Sequence, residues 1–180
     1  MKNAIVTGAS NGIGLEISKK LSENNYYVGM IDIDKENLLK ESENISNSVA
    51  IEGDVTNEDS IKNALDTFNK TPDLIVNNAG IVIFGGLEEQ TIEDFKKSVN
   101  VSLIGSYLVS RLAIDSMIKK GSGCIINMSS INGVHPGPGT GGYPPAKAGI
   151  VSLTQQMSIE WGPYGIRTNS IAPGFIDAGM

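Results

Sequence analysis

The sequence predicts an α/β fold in which a parallel, doubly wound β-sheet is covered by helices on both faces. Short runs of apolar, often β-branched residues alternate along the 180-residue chain with longer segments whose apolar residues recur at helical spacing. The short runs are apolar throughout, as expected for strands that are buried on both faces. Regular alternation of strands and helices then favours parallel strands joined by right-handed crossover connections.

Six strands are predicted from the short apolar runs. Along the chain they cover residues 3–7, 27–31, 48–51, 73–76, 123–128 and 166–171. The first of them, which contains Ala4, Ile5 and Val6, runs directly into a glycine-rich segment.

Five helices are predicted between these strands, over residues 13–23, 35–41, 58–68, 91–119 and 146–160. In the third helix, Ile61, Leu65 and Phe68 recur with the period of a helix. The long fourth helix is expected to break near Asn100. The Gly/Pro-rich stretch 133–142 is interpreted as a loop inside the domain.

Composition and charge exclude several classes of protein. The chain contains 14 Lys and Arg residues against 20 Asp and Glu residues, a formal net charge of −6, and it lacks the basic cluster that nucleic-acid binding requires. A single cysteine, Cys124, excludes an internal disulfide framework and suits a reducing compartment. No Cys/His cluster has metal-ligand spacing, so no metal site is predicted.

The sequence also bears on location and domain count. A membrane span would need about 18 uninterrupted apolar residues, which the sequence does not contain, and no signal peptide is visible. We therefore predict one cytoplasmic domain over residues 1–180, with no membrane or nucleic-acid partner.

The strongest local motif is the glycine-rich segment TGASNGIG, residues 7–14, between the first strand and the first helix. In its Gly-x-x-x-Gly-x-Gly spacing, backbone N–H groups at a helix N-terminus would face a diphosphate, and missing side chains would allow close approach. The alternative interpretation is a tight turn without a ligand. The candidate nucleotide-binding residues are Gly8, Ser10, Asn11, Gly12, Ile13 and Gly14.

Asp32, just after the second strand, is the second candidate for nucleotide binding. A carboxylate there can accept hydrogen bonds from both ribose hydroxyls of NAD and would repel the 2′-phosphate of NADP. An alternative role for Asp32 or Asp34 is to cap the next helix, and Asp34 suits that role better. Asn11 in the loop is not a cation, so NAD is predicted over NADP.

Seven motifs together resemble the short-chain dehydrogenase/reductase family over essentially the whole chain. They are TGASNGIG (7–14), GDV (53–55), NNAG (77–80), VNV (99–101), INMSS (126–130), Tyr143-x-x-x-Lys147 and APGFI (172–176). The resemblance implies a Rossmann-type fold and an NAD(P)-dependent oxidoreductase. It further implies that Asp54 and Val55 meet adenine, that Asn78 contacts the cofactor, and that Ile176 touches the nicotinamide carboxamide.

The same resemblance implies a catalytic tetrad of Asn100, Ser130, Tyr143 and Lys147. Ser130 is chosen over Ser129 because it lies 13 residues before Tyr143. Tyr143 and Lys147 are four residues apart, which places them on one helix face, and the ammonium group favours the phenolate needed for acid–base catalysis. Lys147 is also implied to bond the nicotinamide ribose. Asn100 is implied to hold water in a proton relay, or alternatively to satisfy local backbone groups.

Two features depart from the family pattern. Pro144 and Pro145 follow the tyrosine, and a proline disfavours helical dihedrals in the residue before it, here Tyr143. The sequence ends shortly after Ile176, so the last strand of the family is expected to be missing and the sixth strand to form an open apolar edge.

These features predict an oxidoreductase that interconverts a secondary alcohol and a ketone. One alternative is a truncated family member that binds the dinucleotide but is catalytically impaired. A weaker alternative is another nucleotide-binding α/β protein such as a methyltransferase. The resemblance also implies a homodimer or homotetramer that associates through the helical segments 102–119 and 146–160.

Overall fold

The computed structural model of the protein describes residues 1–177. One sheet contains six strands: β1 Lys2–Thr7, β2 Tyr26–Asp32, β3 Ser48–Glu52, β4 Leu74–Asn77, β5 Gly123–Met128 and β6 Ile166–Ile171. All neighbouring strands pair in parallel, in the order β3-β2-β1-β4-β5-β6. The predicted doubly wound parallel sheet is therefore confirmed.

Helices connect the strands. They are α1 Gly12–Glu23, α2 Lys35–Ser42, α3 Glu58–Phe68, α4 Ile92–Val99, α5 Gly105–Lys120 and α6 Tyr143–Trp161, with a π-helix, Asn100–Ile104, between α4 and α5. Two short 3₁₀ helices, Ile131–Gly133 and Gly162–Tyr164, follow β5 and α6. The bounds of α3 coincide with the prediction. A side-chain cap fixes its start, because Asn57 Oδ1 accepts a hydrogen bond from Ser60 N at 2.9 Å.

The central strands of the sheet are buried on both faces, as their apolar sequences predict. The edge strand β6 instead exposes polar residues at positions 167, 169 and 170, so the expectation that it forms an apolar edge is wrong. Ile5 of β1 points to the face that packs against α3 and α5, where Ile61 and Met117 are fully buried. Ala4 and Val6 of the same strand point to the opposite face, which α1 and α2 cover. Successive residues of a strand face opposite sides, so a single apolar run serves two cores.

The segment after β4 differs from the prediction. The predicted helix 91–119 was expected to break near Asn100, but the chain stays helical and widens into the π-helix Asn100–Ile104. The backbone hydrogen bonds there join residues five apart instead of four, as in the bond from Gly105 N to Asn100 O. A helix can absorb one extra residue in this way without ending, and such insertions are frequent at functional sites.

The run Ile92–Lys120 is also long and apolar enough, by length and composition alone, to cross a membrane. Within residues 1–177 it is the one such helical stretch. An 18-residue segment of it has a mean hydropathy of 1.3, and 44% of that segment is buried inside the structure. Core helices share these properties, and α5 packs here against α3, β4 and β5.

The start of α6 corrects a second prediction. The helix begins at Tyr143 rather than Ala146, so the expectation that Pro144 keeps Tyr143 out of helical geometry is wrong. Pro144 and Pro145 occupy the first turn, where N–H groups have no acceptor within the helix, so they cost no hydrogen bond. The first helical bond runs from Ala146 N to Gly142 O at 3.2 Å.

The strand order places a topological switch point between β1 and β4. Crossovers from β1 lead to one side of the sheet, through β2 and β3, and those from β4 lead to the other, through β5 and β6. A crevice opens beyond the carboxyl ends of the strands where the order reverses, which is where α/β sheets bind ligands. Within residues 1–177, β6 is an edge strand of the sheet.

Candidate active site

An open cleft of about 510 Å³ lies at this switch point. It brings together most of the residues predicted from the sequence. They are Gly8, Ser10, Asn11, Gly12, Ile13, Asp32, Asp54, Val55, Asn78, Ser130, Tyr143, Lys147 and Ile176. Gly14 and Asn100 are the two predicted residues that do not line it.

The glycine loop joins β1 to α1 at the floor of the cleft. Gly8 and Gly12 have φ of 64° and 54°, a backbone region that favours glycine. A Cβ on Gly14 would collide with the carbonyl oxygen of Gly8, so Gly14 is required for the helix to pack against the loop. The third glycine of the motif is therefore explained by packing of the helix against the loop.

The N-terminus of α1 has no side-chain cap. Its N-cap residue, Asn11, makes no side-chain hydrogen bond to the helix, and the first turn contains no acidic residue. Backbone N–H groups and the positive end of the helix dipole therefore face the cleft without a side-chain partner. This is the arrangement that binds phosphate groups.

Asn78 holds the glycine loop in place through hydrogen bonds to its backbone. Its Nδ2 donates to the carbonyl oxygens of Thr7 at 3.1 Å and Gly8 at 3.0 Å, and its backbone N donates to Thr7 Oγ1 at 3.1 Å. The backbone N of Ala79 donates to the same hydroxyl. Sequence reasoning assigned Asn78 a cofactor contact and gave Thr7 no role, although Thr7 opens the glycine motif.

Asp32 lies at the end of β2 with its carboxylate held by backbone donors. Ser10 N donates to Oδ2 and Asp34 N to Oδ1, each at 3.0 Å. Asp34 caps α2, as predicted, by accepting from Asn37 N at 3.1 Å. Asp34 and Asp54 also line the cleft, so three carboxylates surround this part of it.

The turn after β3 supplies the wall formed by Asp54 and Val55. Asp54 Oδ1 accepts from Thr56 N at 2.8 Å and from Thr56 Oγ1 at 2.7 Å, which fixes the carboxylate. Val55 is buried and its side chain lies so close to Gly105 that a Cβ there would come within 2.8 Å. The start of α5 thus holds this wall in place.

Tyr143 and Lys147 share one face of α6 and point into the cleft. Lys147 Nζ lies 5.5 Å from the centroid of the Tyr143 ring and donates to Met128 O at 2.7 Å. The lysine side chain is buried, and this burial lowers its pKa to about 8. The carbonyl of Met128, at the end of β5, is a partner that sequence reasoning did not find.

Ser129 and Ser130 both line the cleft but have different hydrogen bonds. Ser129 Oγ donates to the backbone oxygen of Lys147 at 2.8 Å, which ties β5 to α6. Ser130 Oγ accepts from Asn132 N at 3.2 Å, which leaves its own O–H for another partner. This difference is consistent with the prediction that Ser130, rather than Ser129, meets the substrate.

Asn100 is not brought to the cleft with the other three members of the predicted tetrad. It is exposed at the start of the π-helix, and its backbone oxygen accepts from Gly105 N. This bond belongs to the Asn100 backbone, so it does not test the alternative that the side chain satisfies local backbone groups. Its role in a proton relay stays a prediction.

A buried polar network supports the cleft from beneath. Asn77 Nδ2 donates to Ser110 Oγ and to Asn127 Oδ1, both at 2.8 Å, and Asn127 Nδ2 donates to Thr154 Oγ1 at 2.9 Å. The network joins β4, β5, α5 and α6. Its signal in the sequence is asparagine inside apolar strands, which needs buried partners.

The model of the family described as short chain dehydrogenase matches residues 2–180. The chain belongs to this family. It is 40% identical over 189 residues to the 3-oxoacyl-[acyl-carrier-protein] reductase FabG of Chlamydia trachomatis, covering 99% of this chain and 75% of the relative. It is 34% identical to an NAD-dependent glycerol dehydrogenase of Listeria innocua, covering 97% and 70% of the two chains.

Solved structures show the same relationship. A 3-oxoacyl-[acyl-carrier protein] reductase with bound NAD from Brucella melitensis superposes with a TM-score of 0.94 at 29% identity, over 99% of this chain and 72% of that one. This short-chain dehydrogenase is therefore an oxidoreductase of an NAD(P)-using family with a Rossmann-like fold. Its free α1 N-terminus, glycine loop and fixed Asp32 carboxylate fit the diphosphate and ribose of such a dinucleotide.

Proposed function

We propose that this short-chain dehydrogenase interconverts a secondary alcohol and a ketone by hydride transfer, with Tyr143 as the acid–base group. The observation that carries the proposal is the pairing of Tyr143 with Lys147, whose Nζ lies 5.5 Å from the tyrosine ring centroid. The pair lines the same cleft as the glycine loop. One cleft thus combines a phosphate-binding loop with a group that can move a proton.

The chain's residues divide the proton chemistry between them. Bound NAD would supply the acceptor for the hydride that leaves the alcohol carbon. The proton of the alcohol oxygen passes to the Tyr143 phenolate, and in ketone reduction the phenol returns it. Lys147, mostly protonated at neutral pH because its pKa is about 8, favours the phenolate. Ser130 donates its O–H to the substrate oxygen.

NAD is proposed as the preferred cofactor over NADP. The Asp32 carboxylate accepts from Ser10 N and Asp34 N, so it is fixed beside the glycine loop. A ribose with free hydroxyls can donate to this carboxylate, whereas a 2′-phosphate would meet its charge and that of the neighbouring Asp34. The relative named as an NAD-dependent glycerol dehydrogenase supports the same preference.

The substrate class is proposed from the reaction that the tyrosine can serve and from the names of relatives. A 3-oxoacyl reductase and a glycerol dehydrogenase both act on compounds with a carbonyl or hydroxyl group on carbon. A ketone or its secondary alcohol is therefore the class to test.

The test is the oxidation of NADH and of NADPH, followed by absorbance, with a panel of ketones and the purified protein. We expect turnover with at least one ketone and a higher kcat/KM with NADH. NADH binding without turnover of any ketone would favour a nucleotide-binding protein with impaired catalysis. A strong preference for NADPH would contradict the role proposed for Asp32.

A further inference from the structure

Two loops meet beside the start of α6. One is the segment 81–90, which follows the NNAG motif, and the other is the Gly/Pro-rich loop 133–142. Gly85 N donates to Gly139 O at 2.9 Å, and Gly85 forms an isolated parallel bridge with Thr140. Ile81, at the beginning of the first loop, lines the cleft, so this loop runs from the candidate active site to the contact with the second loop.

The side-chain amide of Gln90 links the two loops through both of its polar atoms. Its Nε2 donates to Ile83 O at 2.6 Å, within its own loop, and its Oε1 accepts from Gly142 N at 2.9 Å, 52 residues further along the chain. The amide lies directly against Gly141, where a Cβ would collide with it and where φ is +43°. The glycine pair 141–142 thus leaves space for this amide.

Gly142 is the N-cap residue of α6. Its backbone oxygen accepts the first helical bond, from Ala146 N, and the next residue is Tyr143, whose N donates to Thr140 O at 2.9 Å. No side chain of the N-cap residue caps this helix, because that residue is Gly142 itself. Pro144 and Pro145 have no N–H to bond. The Gln90 amide therefore provides the side-chain anchor at the N-terminus that carries Tyr143.

We infer that Gln90 is a positioning residue that holds the start of α6 and so sets the Tyr143 phenol relative to Lys147. The inference rests on the proposed function, because it gives Gln90 an effect on acid–base catalysis. Gln90 acts through Gly142 and does not touch the reacting atoms. It also couples the phenol to the segment 81–90, which forms part of the cleft wall at Ile81.

Three variants separate this role from a general structural one. Gln90→Met keeps the length of the side chain and removes both hydrogen bonds. Gln90→Glu keeps an acceptor for Gly142 N but cannot, as a carboxylate, donate to Ile83 O. Asn63→Ala is the control, because Asn63 is an exposed amide residue on α3, outside the cleft and outside the segments proposed for association.

Amide hydrogen exchange and steady-state kinetics are the two measurements. In Gln90→Met we expect the amide of Gly142 to exchange about tenfold faster, as expected for the loss of one hydrogen bond. We expect kcat for ketone reduction to fall about tenfold, with the midpoint of its pH profile displaced and NADH affinity within about twofold of the unmodified protein. Gln90→Glu, whose carboxylate can still accept from Gly142 N, gives slower exchange and a higher kcat than Gln90→Met, and Asn63→Ala changes none of these quantities.

Two results would overturn the inference. One is unchanged protection of Gly142 in Gln90→Met. The other is a fall in kcat without a displaced pH profile, which a purely structural role would give. Absence of turnover in the unmodified protein would instead contradict the proposed function, and the exchange rates would still decide whether Gln90 fixes the start of α6.

Discussion

At the scale of single residues, the proposed chemistry depends on which groups have a free hydrogen or charge inside the cleft. The family motif Tyr143-x-x-x-Lys147 identified these two residues in the sequence, and their separation of four puts both on one helix face. It could not reveal that Met128 O binds the lysine, since this contact depends on where β5 ends beside α6. It also missed Gln90, whose two partners lie in different loops.

Replacing the two neighbouring serines should have different effects. Ser130→Ala removes the O–H that we assign to the substrate oxygen, and we expect kcat to fall by about 10²-fold with NADH affinity unchanged. Ser129→Ala removes the bond to Lys147 O, and we expect a lower Tm with a smaller loss of kcat. Steady-state kinetics and thermal unfolding of both variants test this. A larger loss of kcat in Ser129→Ala would reverse the assignment.

Lys147 should make stability depend on pH in the alkaline range. Its pKa is lowered from 10.5 to about 8 by burial, so between these values the unfolded chain binds a proton that the folded protein lacks. The free energy of unfolding contributed by this group therefore rises with pH over that window, by on the order of 3 kcal/mol.

Urea unfolding of the unmodified protein and Lys147→Met at several pH values isolates this contribution, because all other groups titrate in both proteins. We expect the unfolding free energy of the unmodified protein minus that of Lys147→Met to increase from pH 8 to pH 10. A constant difference over that range would contradict a lowered lysine pKa.

At the scale of elements, the sequence predicted strands and helices well where the apolar period is strong and where caps are local. The α3 helix, with its Asn57 cap, is the clearest case. The π-helix at Asn100 could not be predicted, because its hydrogen-bond pattern leaves the spacing of apolar residues almost unchanged. The start of α6 at Tyr143 could not be predicted from the two prolines alone, because it depends on the tertiary contacts that hold Gly142.

The glycine loop gives a prediction about an element boundary. In Gly14→Ala the new Cβ would collide with the oxygen of Gly8, so the loop and α1 must separate. We expect a loss of stability of about 1–3 kcal/mol and weaker NADH binding. Gly162→Ala is the control, because nothing lies within 4 Å of a Cβ at that position. Thermal unfolding and NADH titration of both variants measure the effect, and equal behaviour would contradict it.

At the scale of the whole molecule, the parallel sheet brings residues from distant parts of the sequence to one crevice. Asp32 ends β2, Asn78 follows β4 and Tyr143 begins α6, and the reversal of strand order between β1 and β4 places all three around the same cleft. This convergence could be predicted once the strands were recognised, because ligands bind at such switch points. The side-chain bonds that fix each group could not.

Association between copies of the chain is a further proposal at this scale. Tyr107 on α5 and Ile159 on α6 are 45% and 71% exposed, so both helices present apolar surface outward. We expect a homodimer or homotetramer in sedimentation velocity at micromolar concentration. Tyr107→Glu together with Ile159→Glu should shift the protein toward monomer, and a monomeric unmodified protein would contradict the proposal.

One comparison shows whether the Tyr143 phenol exchanges the proton that accompanies hydride transfer. NADH oxidation by a ketone substrate is measured with the unmodified protein and with Tyr143→Phe, which keeps the ring near Lys147 and removes only the hydroxyl. We predict a loss of kcat of about 10²–10⁴-fold with NADH affinity retained. Equal rates in the two proteins would exclude Tyr143 as the acid–base group.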